Sequence, residues 1–183
     1  GLGQVILLAH LVPKSELALA ALSGVWVSLA AHLQEGGVNA AIVQQPQTPH
    51  QALSTLYWYN FFQGVVLWSL VGFVGWGFAR FYGEFRLTLL TIVYAATLFA
   101  AGLSVQYKAL LQKNFRFRAL ARIEISGAST AFVVSGALAW LGWGAWALIL
   151  GYLMRQLLET ALLITTGFSL FRPSAKWNPE AAR

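Results

Sequence analysis

The sequence predicts an all-helical membrane protein, a bundle of about six transmembrane helices of which the first is truncated. Of its 183 residues, 58% are hydrophobic and 10% are charged, and the mean hydropathy is +0.63. This is more apolar surface than one soluble core can bury. The apolar residues also fall into runs of about 20, the length a helix needs to cross about 30 Å of hydrocarbon.

The predicted spans form one bundle over residues 1–171. We interpret the first span as the outer part of a helix whose start has been cut away, because it has neither a Met nor the basic n-region of a signal peptide. The second span carries no charge from Leu17 to Gln34 and is expected to be interrupted by Glu35-Gly36-Gly37. A short apolar piece and a polar connection that contains Pro46 and Pro49 should follow. The six predicted spans are 1–12, 16–34, 51–79, 87–107, 119–141 and 145–171.

The later spans are separated by short turns. A turn at Gly83 follows the third span, and a basic stretch, 108–122, follows the charge-free fourth span. Gly142-Trp143-Gly144 is so short that the sixth span must return antiparallel to the fifth. Residues 172–183 are predicted to be a polar cytoplasmic tail or the start of a linker to a missing second half.

Basic residues predict the orientation. The connections after spans two, four and six contain eight Lys and Arg residues, whereas those after spans one, three and five contain three. Because cytoplasmic loops are rich in Lys and Arg, the even connections are expected in the cytoplasm. The net charge of +6 is therefore assigned to membrane topology, and nucleic acid is not an expected partner.

Two opposite charges lie in the middle of the sixth span. Arg155 and Glu159 are four residues apart, which places both side chains on one face of a helix. Charge in hydrocarbon is costly unless it is paired or hydrated, so the pair should face the bundle interior or a water-filled cavity. One interpretation is that Arg155 binds an anionic head group and Glu159 takes up a proton or cation. The other is a structural pair that neutralises itself.

Polar groups elsewhere allow two interpretations each. Asn60, Gln63 and Gln106 could line a sugar-binding passage, or could hydrogen-bond between helices. Glu35 could be an ion-coupling carboxylate beside a break in the helix, or a solvated carboxylate at a helix end.

The basic stretch contains an alternating motif, Asn114-Phe115-Arg116-Phe117-Arg118. Such a segment suits the headgroup level of a bilayer, with rings towards the lipid and guanidinium groups towards water. Arg116 and Arg118 could bind the diphosphate of a lipid carrier, since Arg pairs with phosphate oxygens bidentately. Alternatively, they anchor the topology on anionic lipid.

Enzyme signatures were not found. The chain has no Cys and no Asp, and its three His residues are scattered without metal-ligand spacing. A phosphate-binding Gly-rich loop, a nucleophile elbow and a zinc helix are also missing from the sequence. We therefore expect no catalytic residue, metal or cofactor.

Five sequence stretches in order resemble one family. They are residues 11–20, residues 35–44, the opening of the third span at 53–60, the basic stretch 108–118 with Ile123-Glu124-Ile125, and the turn 142–148. The chain resembles the polysaccharide transporters of the multidrug, oligosaccharidyl-lipid and polysaccharide exporter superfamily, which includes O-antigen and exopolysaccharide flippases. Glu35 occupies a position that is often Asp in that family.

This resemblance implies a fold and a function. The chain would be the N-terminal half of a flippase with about twelve or more helices, in the bacterial inner membrane. The parent protein would flip undecaprenyl diphosphate-linked oligosaccharide by ion-coupled alternating access. Its partners would be the bilayer, the lipid-linked oligosaccharide and the missing C-terminal half. Two alternatives stay open: a membrane-embedded polymerase or ligase for lipid-linked sugars, and a non-catalytic membrane scaffold.

Overall fold

The computed structural model of the protein describes residues 12–44 and 50–168, and it describes side chains at 12–34 and 53–168. Every regular element in these ranges is an α-helix, and five of them contain stretches long and apolar enough to cross a membrane. The all-helical fold is therefore confirmed for the described residues. The first predicted span lies outside them except for Val12. The helices are α1 (Lys14–Gln44), α2 (His50–Tyr82), α3 (Arg86–Lys113), α4 (Phe117–Trp140) and α5 (Ala145–Gly167).

Helix α3 lies at the centre of the bundle and packs against α1, α2 and α5, while α4 packs mainly against α5. In the most apolar stretch of α3, half of the residues are buried by protein, whereas in that of α2 only 17% are. Small residues make the close approaches possible. A Cβ on Gly75 would lie 2.7 Å from Thr91 Cγ2, and a Cβ on Gly102 would lie 2.7 Å from the Asn60 carbonyl oxygen. Backbones can therefore come close without loss of packing.

The second span covers Lys14–Gln34, close to the predicted 16–34, but the expected interruption of its helix after that stretch is wrong. Helix α1 continues through Glu35-Gly36-Gly37 and ends at Gln44. Each Gly costs a helix interior about 1 kcal/mol relative to Ala, which is too little to end a helix of this length by itself. The helix therefore persists until Pro46 approaches, because the residue before a proline is disfavoured in the α conformation. The expected break beside Glu35 does not exist, and the Glu35 side chain lies outside the described residues.

Two further helix ends differ from the prediction. Helix α3 extends beyond 107 to Lys113, because Lys and Gln are good helix formers and a Lys ammonium can leave the apolar zone on its long stem. Helix α5 ends at Gly167, four residues before the predicted 171. Residues 169–183, including the predicted tail, lie outside the described residues.

Turns of three or four residues connect the last four helices. Gly83, between α2 and α3, has a φ of 70°, and Gly142 and Gly144, between α4 and α5, have φ values of 77° and 56°. These left-handed conformations favour glycine. As predicted from the length of the 142–144 turn, α5 returns antiparallel along α4, and the two helices pack directly.

A carboxylate on α1 joins three helices at the end of the bundle where α1, α3 and α5 begin. Glu16 Oε1 accepts a hydrogen bond from Arg86 Nη1 at 3.1 Å, and its Oε2 accepts one from the Ala145 backbone N–H, also at 3.1 Å. The second contact satisfies a free N–H at the start of α5. We call this end, with its turns at Gly83 and Gly142, the Glu16 end, and the opposite end, with the 114–116 turn, the basic end.

Candidate functional site

The predicted charged pair forms in the middle of α5. Arg155 Nε donates to Glu159 Oε1 at 2.7 Å, so the two side chains share one face of the helix as expected. Arg155 lies ten residues from Ala145 and twelve from Gly167, about 15 and 18 Å along the axis. Neither helix end is within easy reach of the guanidinium. The side chain of Glu159 is 15% exposed and that of Arg155 is 34% exposed.

The carboxylate of Glu159 is held tightly by its surroundings. On one side it lies against Gly127 of α4, where a Cβ would come within 2.6 Å of Glu159 Cγ. On another side it lines a cavity of about 60 Å³ between α1, α3 and α5, which we call the Glu159 cavity. This volume is large enough for a few water molecules. The Glu159 cavity is lined by Gln34, Ala101, Ser104, Val105, Lys108, Gln156, Glu159 and Leu163.

Lys108 brings a second cation to the Glu159 cavity. Its side chain is 34% exposed, and its Nζ lies 3.8 Å from Oε1 of Glu124 on α4, whose side chain is 54% exposed. Lys108 therefore lies between two carboxylates, one mostly buried and one largely exposed. A long, exposed ion pair contributes about 0–1 kcal/mol, so Glu124 holds Lys108 only loosely.

Hydroxyl groups continue the polar surface along the α3–α5 contact. Thr160 Oγ1 donates to the Ala100 carbonyl at 3.0 Å and lies 3.2 Å from Ser104 Oγ, and both side chains are buried. These hydrogen bonds fix α5 against α3 close to the charged pair. The register of Glu159 relative to Lys108 is thereby set by packing rather than by the charges alone.

The sequence prediction missed Gln34. Its side chain is 1% exposed, its Nε2 donates to the Leu98 carbonyl at 3.1 Å, and its Oε1 has no hydrogen-bond partner among the described residues. A buried acceptor without a partner costs about 1–3 kcal/mol. The only available signal was a single Gln at the end of an apolar run, one residue before the expected break at Glu35.

An apolar cavity of about 290 Å³ lies beside the charged pair. We call it the tyrosine groove, because Tyr94 and Tyr152 line it with ring centroids 5.7 Å apart. Tyr152 precedes Arg155 by about one helical turn, so the groove lies next to the guanidinium along α5. The other residues lining it are Leu17, Ala20, Ala21, Gly24, Leu148 and Ile149.

The predicted amides are placed in helix contacts. Asn60 is fully buried and neither side-chain atom has a partner among the described residues, while Gln106 donates from Nε2 to the Leu53 carbonyl at 2.7 Å. Gln63 is partly buried, and its Oε1 is without a partner in the same part of the chain. The Gln106 contact fits the interpretation of a hydrogen bond between helices. A role of these three amides in sugar binding stays a prediction.

The arginines of the alternating motif lie apart from Arg155, at the basic end of the bundle. Phe115 and Phe117 are 81% and 56% exposed, with ring centroids 6.0 Å apart. Phe115 has a φ of 54°, which is rare for a bulky residue and costs of order 1 kcal/mol. The rings and arginines surround an open concavity of about 600 Å³, the basic cup, lined by Phe115, Arg116, Phe117, Arg118, Ala119 and Arg122.

The positions of the predicted site residues therefore separate into groups. Arg155 and Glu159 lie together at mid-depth, and Arg116 and Arg118 lie together in the basic cup. Their predicted functions stay predictions. Within the described residues, no group of three His, Cys, Asp or Glu side chains is placed to hold a metal ion.

Comparison with known proteins identifies relatives over almost the whole chain. The lipopolysaccharide biosynthesis protein WzxC of Escherichia coli (strain K12) is 28% identical over 173 residues, which is 94% of this chain and 35% of that protein. A membrane protein of the Klebsiella pneumoniae cps region is 26% identical over 176 residues, 96% of this chain and 36% of the relative. The teichuronic acid biosynthesis protein TuaB of Bacillus subtilis (strain 168) is 36% identical over 89 residues, 49% of this chain and 18% of TuaB.

The chain spans about a third of the length of the first two relatives. No solved structure matches. The family described as polysaccharide biosynthesis protein matches residues 7–183. This match agrees with the polysaccharide exporter family that the sequence resembles, and the chain therefore belongs to the polysaccharide biosynthesis protein family.

Proposed function

We propose that the complete protein is an exporter that flips an undecaprenyl diphosphate-linked oligosaccharide from the cytoplasmic to the periplasmic leaflet of the bacterial inner membrane. The chain described above would supply one helical bundle, which rocks against a second one in alternating access. The names of two relatives, which refer to lipopolysaccharide and teichuronic acid biosynthesis, support a role in polysaccharide assembly. The observation that carries the proposal is the Arg155–Glu159 pair, held at mid-depth beside an apolar groove.

The Arg155 guanidinium and the neighbouring tyrosine groove match the two parts of a lipid phosphate, its charged head and its apolar tail. The guanidinium can pair with phosphate oxygens, and the contact to Glu159 uses only its Nε. The tyrosine groove offers apolar surface to a hydrocarbon chain about one helical turn away. A ligand with an anionic head and an apolar tail is therefore complementary to this region of the bundle.

The basic cup suits the entry of the same ligand. Arg116 and Arg118 lie at the end of the bundle that the positive-inside rule places in the cytoplasm, beside exposed phenylalanines at the level of the lipid head groups. Anionic head groups would concentrate there before they reach mid-depth.

Ion coupling is the second part of the proposal. Glu159 is the described carboxylate closest to the middle of a span, so a change in its charge would alter the pairing of Arg155. Glu35 is a second candidate on α1. Movement of the lipid requires no covalent chemistry, so we propose a transporter rather than a polymerase or ligase.

Neutralisation of Arg155 tests the central site. In proteoliposomes containing the complete protein, with both bundles, and a fluorescent lipid-linked oligosaccharide, Arg155→Gln should slow translocation at least about tenfold, equivalent to about 1.4 kcal/mol. Arg80→Gln, which removes an exposed arginine at the Glu16 end, should leave the rate within about twofold of the unsubstituted protein. The measurement is the rate at which the label becomes accessible in the opposite leaflet.

Neutralisation of Glu159 tests the coupling, with Glu84→Gln in the turn after α2 as its control. Glu159→Gln should abolish the dependence of the rate on an imposed ion gradient, while Glu84→Gln should retain it. If Arg155→Gln and Glu159→Gln both insert normally and both translocate at the unsubstituted rate, the central site is wrong. A scaffold function would then account for the family membership.

A further inference from the structure

Four charges form a chain across three helices. Arg155 and Glu159 lie on α5, Lys108 on α3 and Glu124 on α4, and the links between them are an ion pair of 2.7 Å, the shared Glu159 cavity and an ion pair of 3.8 Å. Positive and negative charges alternate along this chain, and its sum is zero. If Arg155 takes a new anionic partner, Glu159 therefore needs another cation, and Lys108 is the next charge along the chain.

We infer that Lys108 is the alternative partner of Glu159, and that it moves from Glu124 to Glu159 when an anionic ligand occupies Arg155. This inference rests on the proposed function, because it takes a lipid-linked phosphate or diphosphate as that anion. Lys108 thereby becomes a positioning residue for the transported lipid.

The first step of the argument concerns Glu159. Its side chain is 15% exposed and is enclosed by Gly127 and the Glu159 cavity. A mostly buried carboxylate that loses its cation is strongly destabilised. If Lys108 takes the place of Arg155 at Glu159 while Arg155 pairs with the phosphate, every one of these charges except that of the exposed Glu124 has a partner. When a phosphate competes for Arg155, the cost of binding falls if another cation reaches Glu159.

The second step identifies Lys108 as that cation. It is the one basic side chain, among the described residues, that lines the Glu159 cavity. Its four-carbon stem is flexible, and its present partner, Glu124, is 54% exposed, so water can solvate Glu124 after Lys108 leaves. The weak Lys108–Glu124 pair is given up, and Glu159 retains a cationic partner.

The third step is a consequence for the helices. The Lys108–Glu124 pair links α3 to α4 near the basic end, where these helices make few other contacts. Transfer of Lys108 to Glu159 releases this link and adds one between α3 and α5. Binding of the anion at mid-depth would therefore loosen α4 at the end of the bundle where the basic cup lies.

A double-mutant cycle tests the exchange. The probe is geranylgeranyl diphosphate, and its Kd is measured by quenching of tryptophan fluorescence with the full chain in nanodiscs. Lys108→Met should raise the Kd about five- to tenfold, because no cation can replace Arg155 at Glu159. In a Glu159→Gln background the same substitution should change the Kd less than twofold, because no buried carboxylate then needs a partner.

Two further variants sharpen the result. Glu124→Gln should lower the Kd several-fold, because Lys108 is no longer held on α4, and Lys108→Arg should bind nearly as well as the unsubstituted protein. Lys14→Met, which removes a cation at the opposite end of the bundle, is the matched control and should bind normally. Thermal unfolding of each variant shows whether it is folded.

The outcomes separate the exchange from the proposed function. If Lys108→Met weakens binding equally with and without the Glu159 carboxylate, Lys108 merely attracts the anion and the exchange is wrong. An unchanged Kd for the folded Lys108→Met protein would also overturn it. If Arg155→Gln binds the probe as well as the unsubstituted protein does, the proposed site itself fails. Inorganic diphosphate and geranylgeraniol, used in parallel, assign the binding to the head or to the tail.

Discussion

Glu159 and Arg155 each carry a charge that is costly at the middle of a bilayer, and each lowers the cost of the other. Removing one partner of a fully buried pair costs about 3–5 kcal/mol, because the remaining charge is then uncompensated, and this is an upper bound for a pair whose Arg155 side chain is 34% exposed. This penalty explains why the carboxylate is enclosed by Gly127 and a small polar cavity rather than by lipid. The packing around Glu159 therefore restricts the positions that its carboxylate can take.

Gly127→Ala tests this enclosure. The new Cβ would collide with the Glu159 side chain, so we expect a loss of about 1–3 kcal/mol in stability, as for other overpacked sites, together with slower transport. Gly77→Ala on α2 is the matched control, because nothing lies within 4 Å of its Cβ position. That variant should be unchanged or more stable by up to about 1 kcal/mol. Thermal unfolding in detergent measures both, and equal melting temperatures would contradict the tight contact.

At the scale of helices, α3 determines the arrangement. It packs against α1, α2 and α5 and contributes Ser104 and Lys108 to the Glu159 cavity. Helix α1 reaches the same cavity with Gln34, which lies ten residues before its end at Gln44. The polar site is therefore assembled from three helices that are distant in sequence.

Glu16 gives a prediction at the same scale. Its carboxylate accepts from the N–H of Ala145 at the start of α5 and from the exposed Arg86 side chain. Loss of a side chain that caps a helix start costs about 0.5–2 kcal/mol, whereas an exposed ion pair contributes about 0–1 kcal/mol. Glu16→Ala should therefore destabilise the bundle more than Arg86→Ala.

Thermal unfolding of these two variants and of the double variant separates the contacts. The double variant should resemble Glu16→Ala alone, because both contacts share the one carboxylate. If Arg86→Ala proves the more damaging substitution, the ion pair rather than the contact to the α5 backbone holds this end together.

For the whole molecule, the basic end and the Glu16 end are expected on opposite sides of the membrane. The absence of Cys from the sequence allows single cysteines to be introduced directly. We expect a cysteine at the exposed Phe115 to react with an impermeant maleimide only after the cells are permeabilised. A cysteine at the exposed Trp143 should react in intact cells. The reverse pattern of labelling would invert the orientation and move the basic cup to the periplasmic side.

The sequence by itself determined the helical membrane class, the short α4–α5 turn, the family and the pairing of Arg155 with Glu159. These features depend on composition, local spacing or similarity along the chain, all of which can be read in one dimension. Helix ends were predicted less well: Gly36 and Gly37 predicted a break, but α1 continues through both, because two glycines cost a helix only about 2 kcal/mol.

Only the tertiary structure decided which side chains meet across helices. Gln34, Lys108 and Glu159 are separated by more than fifty residues from one another, yet they line one cavity because α3 packs between α1 and α5. The contact of Glu16 with the start of α5 is of the same kind. Contacts of this type depend on the rotation and depth of each helix, which are set by packing against its neighbours and leave no periodic signal in the sequence.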